Sequence, residues 1–364
     1  MDLKQIGWDS YFEEHFSQLP SHLIPARISC QRKQNYQILT EKGEFTAKIS
    51  GSIRYKAKNK SMFPAIGDWV AVELREQEKT ARICHILPRK TKFSRKVILS
   101  ATDEQVIAAN IDYIFIITSL ESERDFNLRR IERYLALTNE SKAAPVLIFN
   151  KMDLCTTEYV EEKLNLVTKE VILGLDIPIY SISAKKSLGI ENLHEYFSKG
   201  KTVAFLGSSG VGKSELINSV LGKQISLTGE VREFDSVGRH TTTHRELFSI
   251  PNGGALIDTP GMRELQLWTD EKSLKESFKE ISSLEPYCKF TNCTHTNEPG
   301  CQVLEALDND ELSAERYEHY QKLREEIKIL NEKKEAVEKA KEKKFHPKRK
   351  HWDRKNTQKN WKFR

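Results

Sequence analysis

The sequence predicts an α/β protein in three parts: a small OB-like β-barrel near the N-terminus, a central parallel sheet covered by helices, and a mostly helical, zinc-binding C-terminal region. Three observations predict this. Between about Arg27 and Lys96, short runs of alternating polarity such as TAKISGSIRY and DWVAVELRE are punctuated by EKGE, AIGD and Pro88. From Ile111 onward, apolar strands alternate with helical segments, the pattern of a parallel sheet buried on both faces. Of six cysteines, Cys288, Cys293 and Cys301 fall within 14 positions, and a helical pattern follows them.

At 364 residues the chain exceeds one ordinary domain. The N-terminus, MDLKQIGWDSYFEEHF, lacks a cationic segment followed by an apolar run, and the longest apolar stretches are only strand length. The expectation is a cytoplasmic chain with no membrane partner, working as a monomer. Cys30, Cys84 and Cys155 are scattered, so clustering of the other three suggests a metal rather than disulfides. The net charge of +6 conceals a division: −3 over 1–26, +11 over 27–100, −11 over 101–340 and +9 over 341–364. Both basic segments suit a polyanion.

The barrel segment is expected over 27–100, with five strands and a basic surface on which Tyr55, Phe63, Trp69 and Phe93 are interleaved. Such a surface can track phosphates and stack bases, although Trp69 reads better as core. The central region, 101–268, runs strand IDYIFIITS, helix NLRRIERYLALTNES, strand PVLIFN, a helix near Thr157 to Leu173, then strands IPIYSIS and TVAFLG.

After TVAFLG comes GSSGVGKS, Gly207 to Ser214, opening a helix, which is the context of a phosphate-binding loop. Gly207, Gly210 and Gly212 let backbone N–H groups curl around phosphates, with Ser208, Ser209 and Val211 between them; Glu215 follows on the helix. Lys213 reaches the β and γ oxygens and Ser214 ligates magnesium. Downstream, IDTPGM places Asp258 at a strand end to hold a magnesium-bound water, and Gly261 to meet the γ-phosphate. Between them, GRHTTT offers Thr241, Thr242 and Thr243, one of which could complete the magnesium shell; the sequence does not say which.

FNKMDL puts Asn150, Lys151 and Asp153 at the carboxyl end of an apolar strand. Asp153 there can accept from guanine N1 and N2, a donor pair adenine lacks, which selects GTP. Ser183, Ala184 and Lys185 form the partner loop at the next strand end. These base-binding motifs precede the phosphate loop, whereas ordinary GTPases place them after it. The fold class is therefore a circularly permuted P-loop GTPase domain between the barrel and the C-terminal region. The cut leaves the nucleotide-sensing segments leading straight into that region, so hydrolysis can reposition it.

Cys288, Cys293, His295 and Cys301 supply three thiolates and an imidazole in a loop with few apolar residues, suiting a closed, structural zinc site. Tyr317, Tyr320, Leu323, Ile327 and Leu330 then line one helix face, capped by Ser313. The boundaries expected are 1–26 for an N-terminal extension, 269–330 for the zinc-binding helical domain and 331–364 for a basic tail. That tail, with Trp352, Trp361 and Phe363, suits an arm that folds on RNA or merely solubilises.

GDWV at 67–70, QVIAANID at 105–112, NKMDL, SAKKSLGIENL, GSSGVGKSELIN, GRHTTT, IDTPGMREL and the cysteine cluster together resemble the circularly permuted, ribosome-small-subunit-dependent GTPases called RsgA or YjeQ. The resemblance covers about Ile28 to Leu330. It implies an OB-fold, a permuted GTPase domain and a zinc domain, acting late in 30S subunit maturation on its rRNA, with hydrolysis stimulated by that subunit. Where many GTPases orient water with glutamine, this chain has Met262, as the family has a hydrophobic residue. Family members are expected to gain or reorder the missing group on the ribosome, and His240 is a candidate for it. An RNA clamp indifferent to hydrolysis, and a GTPase serving another RNA client, are the competing expectations.

Overall fold

The computed structural model describes residues 1–32, 35–96, 104–122, 125–222, 246–251, 253–258 and 270–345. Helix α1 (Ser10–Ser17) precedes five strands, β1 (Ile24–Gln31), β2 (Tyr36–Thr40), β3 (Gly43–Ile49), β4 (Trp69–Arg75) and β5 (Thr80–Ile86), with α2 (Gly51–Lys56) between β3 and β4. The strands run in the order β1-β2-β3-β5-β4; β4 pairs back on β1 and β3 lies parallel to β5, closing the OB-type barrel expected from the sequence. Period-two alternation fills it with Ala26, Ile28, Ile38, Phe45, Ala47, Val70, Val72 and Ile83.

Trp69 points the other way. It is fully buried against Trp8 at 4.9 Å and Phe12 at 5.8 Å, so the N-terminal helix covers the barrel flank. Phe93 is also buried, which leaves the exposed Tyr55 and the half-buried Phe63 as the aromatics available to a ligand.

GDWV has a structural explanation. A side chain on Gly67, at φ +83°, would lie 2.2 Å from the Ala109 carbonyl oxygen. Asp68 is gripped by Arg89 through both carboxylate oxygens at 2.7 Å. The fully buried Arg27 donates to the Gly67 carbonyl at 3.3 Å, the Asn110 carbonyl at 3.0 Å and the Ile6 carbonyl. One guanidinium thus ties the N-terminal segment, the barrel and the linker; burial pulls its pKa down to about 10.

Strands β6 (Lys92–Lys96) and β7 (Glu104–Ala109) form a separate antiparallel pair leading out of the barrel. The central sheet follows: β8 (Tyr113–Ser119), α3 (Leu128–Ser141), β9 (Ala144–Asn150), α4 (Thr157–Glu170), β10 (Ile179–Ser181), β11 (Thr202–Leu206), α5 (Lys213–Leu221), β12 (Glu246–Ser249) and β13 (Ala255–Asp258). Its order is β10-β9-β8-β11-β13-β12; all but the antiparallel β12 are parallel. β11, the strand before the phosphate loop, lies between β8, which comes earlier in the chain, and β13, which comes later. Ile114, Ile116, Leu147, Phe149, Ala204 and Leu206 pack on one face; Phe115, Ile117, Val146, Ile148, Val203 and Phe205 pack on the other. Both faces are dry, as a parallel sheet requires. Among the described residues, one pairing, Cys30 with Glu246, joins β12 to barrel strand β1.

The C-terminal part contains α6 (Glu271–Ser277), α7 (Lys279–Ser282), α8 (Gln302–Asp308) and α9 (Ala314–Phe345). Tyr320, Leu323, Ile327 and Leu330 are buried, Tyr317 is partly so, and Ser313 Oγ accepts from the Arg316 amide at 3.4 Å. Its core runs on into that of α3 through Leu274, Phe278 and Ile281. At the junction Glu132 of α3, 1% exposed, accepts from Arg129 at 2.5 Å, from Arg316 at 3.0 Å and from His319. A buried carboxylate held by two guanidinium groups and an imidazole fixes how the region docks on α3. No helix among the described residues is long and apolar enough to cross a membrane.

Candidate nucleotide site and metal centre

The phosphate loop joins β11 to α5, and close packing dictates its glycines. A Cβ on Gly207 would sit 2.4 Å from the Ile117 carbonyl oxygen, and one on Gly212 only 2.1 Å from Asn150 Nδ2. Gly210 and Gly212 have φ of +88° and +91°. Val211 is buried, whereas Ser209, Gly210, Ser214 and Glu215 are exposed and Ser208 is half-buried. Lys213 Nζ donates to the carbonyls of Gly207 at 2.8 Å and Ser208 at 2.5 Å, so its charge lies within the loop. Asp258 ends β13 beside β11, one residue past the Ala204–Ile257 pairing.

Asn150 is the structural hinge of the site. Its Nδ2 donates to the Val211 carbonyl at 2.8 Å, and its Oδ1 accepts from the Ala184 amide at 2.9 Å. One buried side chain therefore connects the NKMD loop, the SAK loop and the phosphate loop. Lys151, at φ +67°, reverses the chain after β9 and pairs with Glu121. A hydrogen bond from Ser183 holds the Asp153 carboxyl below the usual carboxylate range, helped by Lys186 at 3.6 Å. Ser183 is buried and Lys185 is exposed.

Cys288, Cys293, His295 and Cys301 bring their ligand atoms within 4.8 Å of one another. His295 Nδ1 lies 3.3 Å from Cys301 Sγ and 3.7 Å from Cys288 Sγ, which is 3.9 Å from Cys301 Sγ. A tetrahedral zinc with sulfur at about 2.3 Å and nitrogen at about 2.0 Å sets sulfur–sulfur edges of about 3.8 Å and sulfur–nitrogen edges of about 3.5 Å. The donor set fits, and among the described residues no fifth His, Cys, Asp or Glu joins it. Behind the ring, His295 Nε2 faces Glu285 at 3.6 Å, a carboxylate also held by Lys275 at 2.6 Å and Tyr320 at 2.9 Å. Burial depresses the His295 pKa, favouring the neutral imidazole that a metal needs.

A family model described as RsgA GTPase matches residues 86–268. A protein named small ribosomal subunit biogenesis GTPase RsgA from Opitutus terrae is 42% identical over 337 residues, 90% of each chain. The chain belongs to the RsgA GTPase family. An RsgA of the same name from Methanosarcina acetivorans is 40% identical, covering 90% of this chain and 86% of its own. YjeQ from Thermotoga maritima superposes with a TM-score of 0.62 at 27% identity, over 84% of this chain and 98% of that one. YloQ, described as a circularly permuted GTPase, shares the fold at a TM-score of 0.60 and 24% identity, over 85% and 96% of the two chains. A broader model described as 50S ribosome-binding GTPase matches 202–339. The chain is accordingly a GTPase of permuted architecture, with GTP as substrate and GDP as product.

Thr241, Thr242, Thr243, His240, Gly261 and Met262 lie outside the described residues, as does the tail from 346. The other expected nucleotide residues gather at the carboxyl ends of β9, β11 and β13 and in the SAK loop. Sequence reading missed Arg130, whose Nη1 donates to Ser208 Oγ at 3.3 Å. No motif marks it, because the two residues are 78 positions apart.

Proposed function

We propose that this RsgA GTPase binds the small (30S) ribosomal subunit through its rRNA, acts late in that subunit's maturation and hydrolyses GTP in response to it. The observation that carries this reading is the Asn150 crosslink of the phosphate loop to both base loops, in a chain whose relatives bear the name of small-subunit biogenesis GTPases. The basic barrel segment, with Tyr55 exposed, supports an RNA partner.

In this reading Asp153 accepts the N1 and N2 donors of guanine, Lys151 lies along the base, and Ser183, Ala184 and Lys185 close over it. The amides from Ser208 to Glu215 and the Lys213 ammonium bind the phosphates. Ser214, with Asp258 through a water, would hold magnesium, which neutralises charge on the β- and γ-phosphates. Gly261 and one of Thr241 to Thr243 sense the γ-phosphate, and His240 orients water. Structural zinc is held by Cys288, Cys293, His295 and Cys301. The division at 26, 100, 268 and 330, a monomeric state and a cytoplasmic location belong to the same proposal.

The experiment is GTP hydrolysis by wild type and Lys213→Ala, alone and with purified 30S subunits, 50S subunits or bulk RNA. The expected result is stimulation by 30S alone, with the mutant slower by about 10²–10³-fold. Equal rates in all mixtures reject it, and stimulation by 50S subunits would move the client to the partner named by the broader family model.

A further inference from the structure

Three arginines stand at the start of α3, and two are neutralised. Arg129 pairs with Glu132 at 2.5 Å and Glu315 at 3.2 Å; Arg133 pairs with Glu326 at 2.6 Å. Arg130 has no carboxylate partner among the described residues and donates to Ser208 in the phosphate loop. Its helix is anchored on both sides. Ile131 and Leu135 are buried in the core, and Glu132 is locked to Arg316 and His319 of α9. Asn127 Oδ1 caps the helix by accepting from the Arg130 amide itself at 2.9 Å. The guanidinium is thus a half-buried cation with a fixed base, placed at the rim of a loop built for a polyanion.

We infer that Arg130 is a catalytic arginine supplied in cis, whose guanidinium leaves Ser208 Oγ for the phosphate chain of GTP and stabilises the charge that develops as the γ-phosphoryl group transfers. The inference rests on the GTPase activity and adds a residue to it. In hydrolysis the water oxygen bonds to the γ-phosphorus, and the bond from that phosphorus to the β–γ bridging oxygen breaks. The electron pair stays on the β-phosphate of GDP, and the proton lost by water goes to the released phosphate. Negative charge therefore grows at the bridging oxygen and its neighbours, where a planar five-donor cation is most effective. A methionine side chain such as that of Met262 has no donor to orient water as glutamine does, which raises the share that charge stabilisation must carry.

The test uses the full chain under single-turnover conditions, with and without 30S subunits, comparing wild type, Arg130→Ala and Arg130→Lys. Binding of GDP, of a non-hydrolysable GTP analogue and of GDP with aluminium fluoride is read in parallel. Arg130→Ala should slow the chemical step about 10²–10³-fold and lose the tighter binding of the aluminium fluoride complex, while nucleotide affinity changes far less. Arg130→Lys should recover part of the rate, because it restores charge without the fork. Wild-type turnover in Arg130→Ala would overturn the inference. So would an equal loss of affinity for all three ligands, the mark of a residue that only shapes the loop. Absence of hydrolysis by the wild type both with and without 30S subunits would fail the GTPase reading itself.

Discussion

Removal of the proposed zinc, by chelation or by Cys301→Ser, should unfold the C-terminal region while the barrel and central sheet stay folded. Metal binding is folding free energy at such sites, of order 10–16 kcal/mol apparent for structural zinc. Nothing else in TNCTHTNEPGC replaces it: Cys293 and Cys301 are buried in the shared core, whereas the rest of the loop is mostly exposed and polar. Loss of the ligand set withdraws support from Val303, Ala306 and Tyr320, and with them from the Arg316–Glu132 contact on α3. Limited proteolysis should cut between about Asp270 and Leu330 in the chelated protein and spare the metal-loaded one. A zinc-free chain with an unchanged cleavage pattern and melting curve would sink the structural role. Burial pushes the Cys293 thiol up to about 11, so the metal-free thiol is protonated at neutral pH. The proposed zinc would have to displace that proton, so its retention should weaken as the pH falls.

Asp153→Asn should lower GTP affinity by about 10²–10⁴-fold and create binding of xanthosine triphosphate. The carboxylate accepts two donors of guanine, and each charge-assisted bond contributes about 1.5–3 kcal/mol. An amide keeps the shape but turns one acceptor into a donor, which faces the guanine amino group unfavourably and the xanthine 2-carbonyl favourably. Asparagine keeps an acceptor for Ser183 and loses only the charge facing the exposed Lys186, so the folded loop should survive the substitution. Displacement of a fluorescent guanine nucleotide, repeated with the xanthine analogue, reads both effects. Equal affinity of wild type and variant for both nucleotides would remove Asp153 from the base site.

What the sequence revealed and what it concealed divide along contact range. The β8, β9 and β11 strands, GSSGVGKS, NKMDL and the Cys–His cluster are local patterns in which each residue's neighbours in sequence are its neighbours in chemistry, and all were legible. The N-terminal helix was not, although Asp9 accepts from the Tyr11 amide at 3.1 Å as an ordinary cap. Its register depends on Trp8 and Phe12 meeting Trp69, far along the chain. For the same reason Phe93 looked like a possible stacking residue and is core. The Glu132–Arg316 pair spans 184 positions and the Arg130–Ser208 contact 78, so no spacing rule reaches either.

If the proposed 30S partner is right, the nucleotide held by the loops that Asn150 joins should also govern attachment to the small ribosomal subunit. Co-sedimentation of the full chain with 30S subunits at physiological salt, with a non-hydrolysable GTP analogue or with GDP, measures this. The chain should pellet with 30S subunits in the analogue, stay in the supernatant in GDP, and ignore 50S subunits in both. Equal pelleting in analogue and GDP, or attachment to 50S subunits instead, would contradict it.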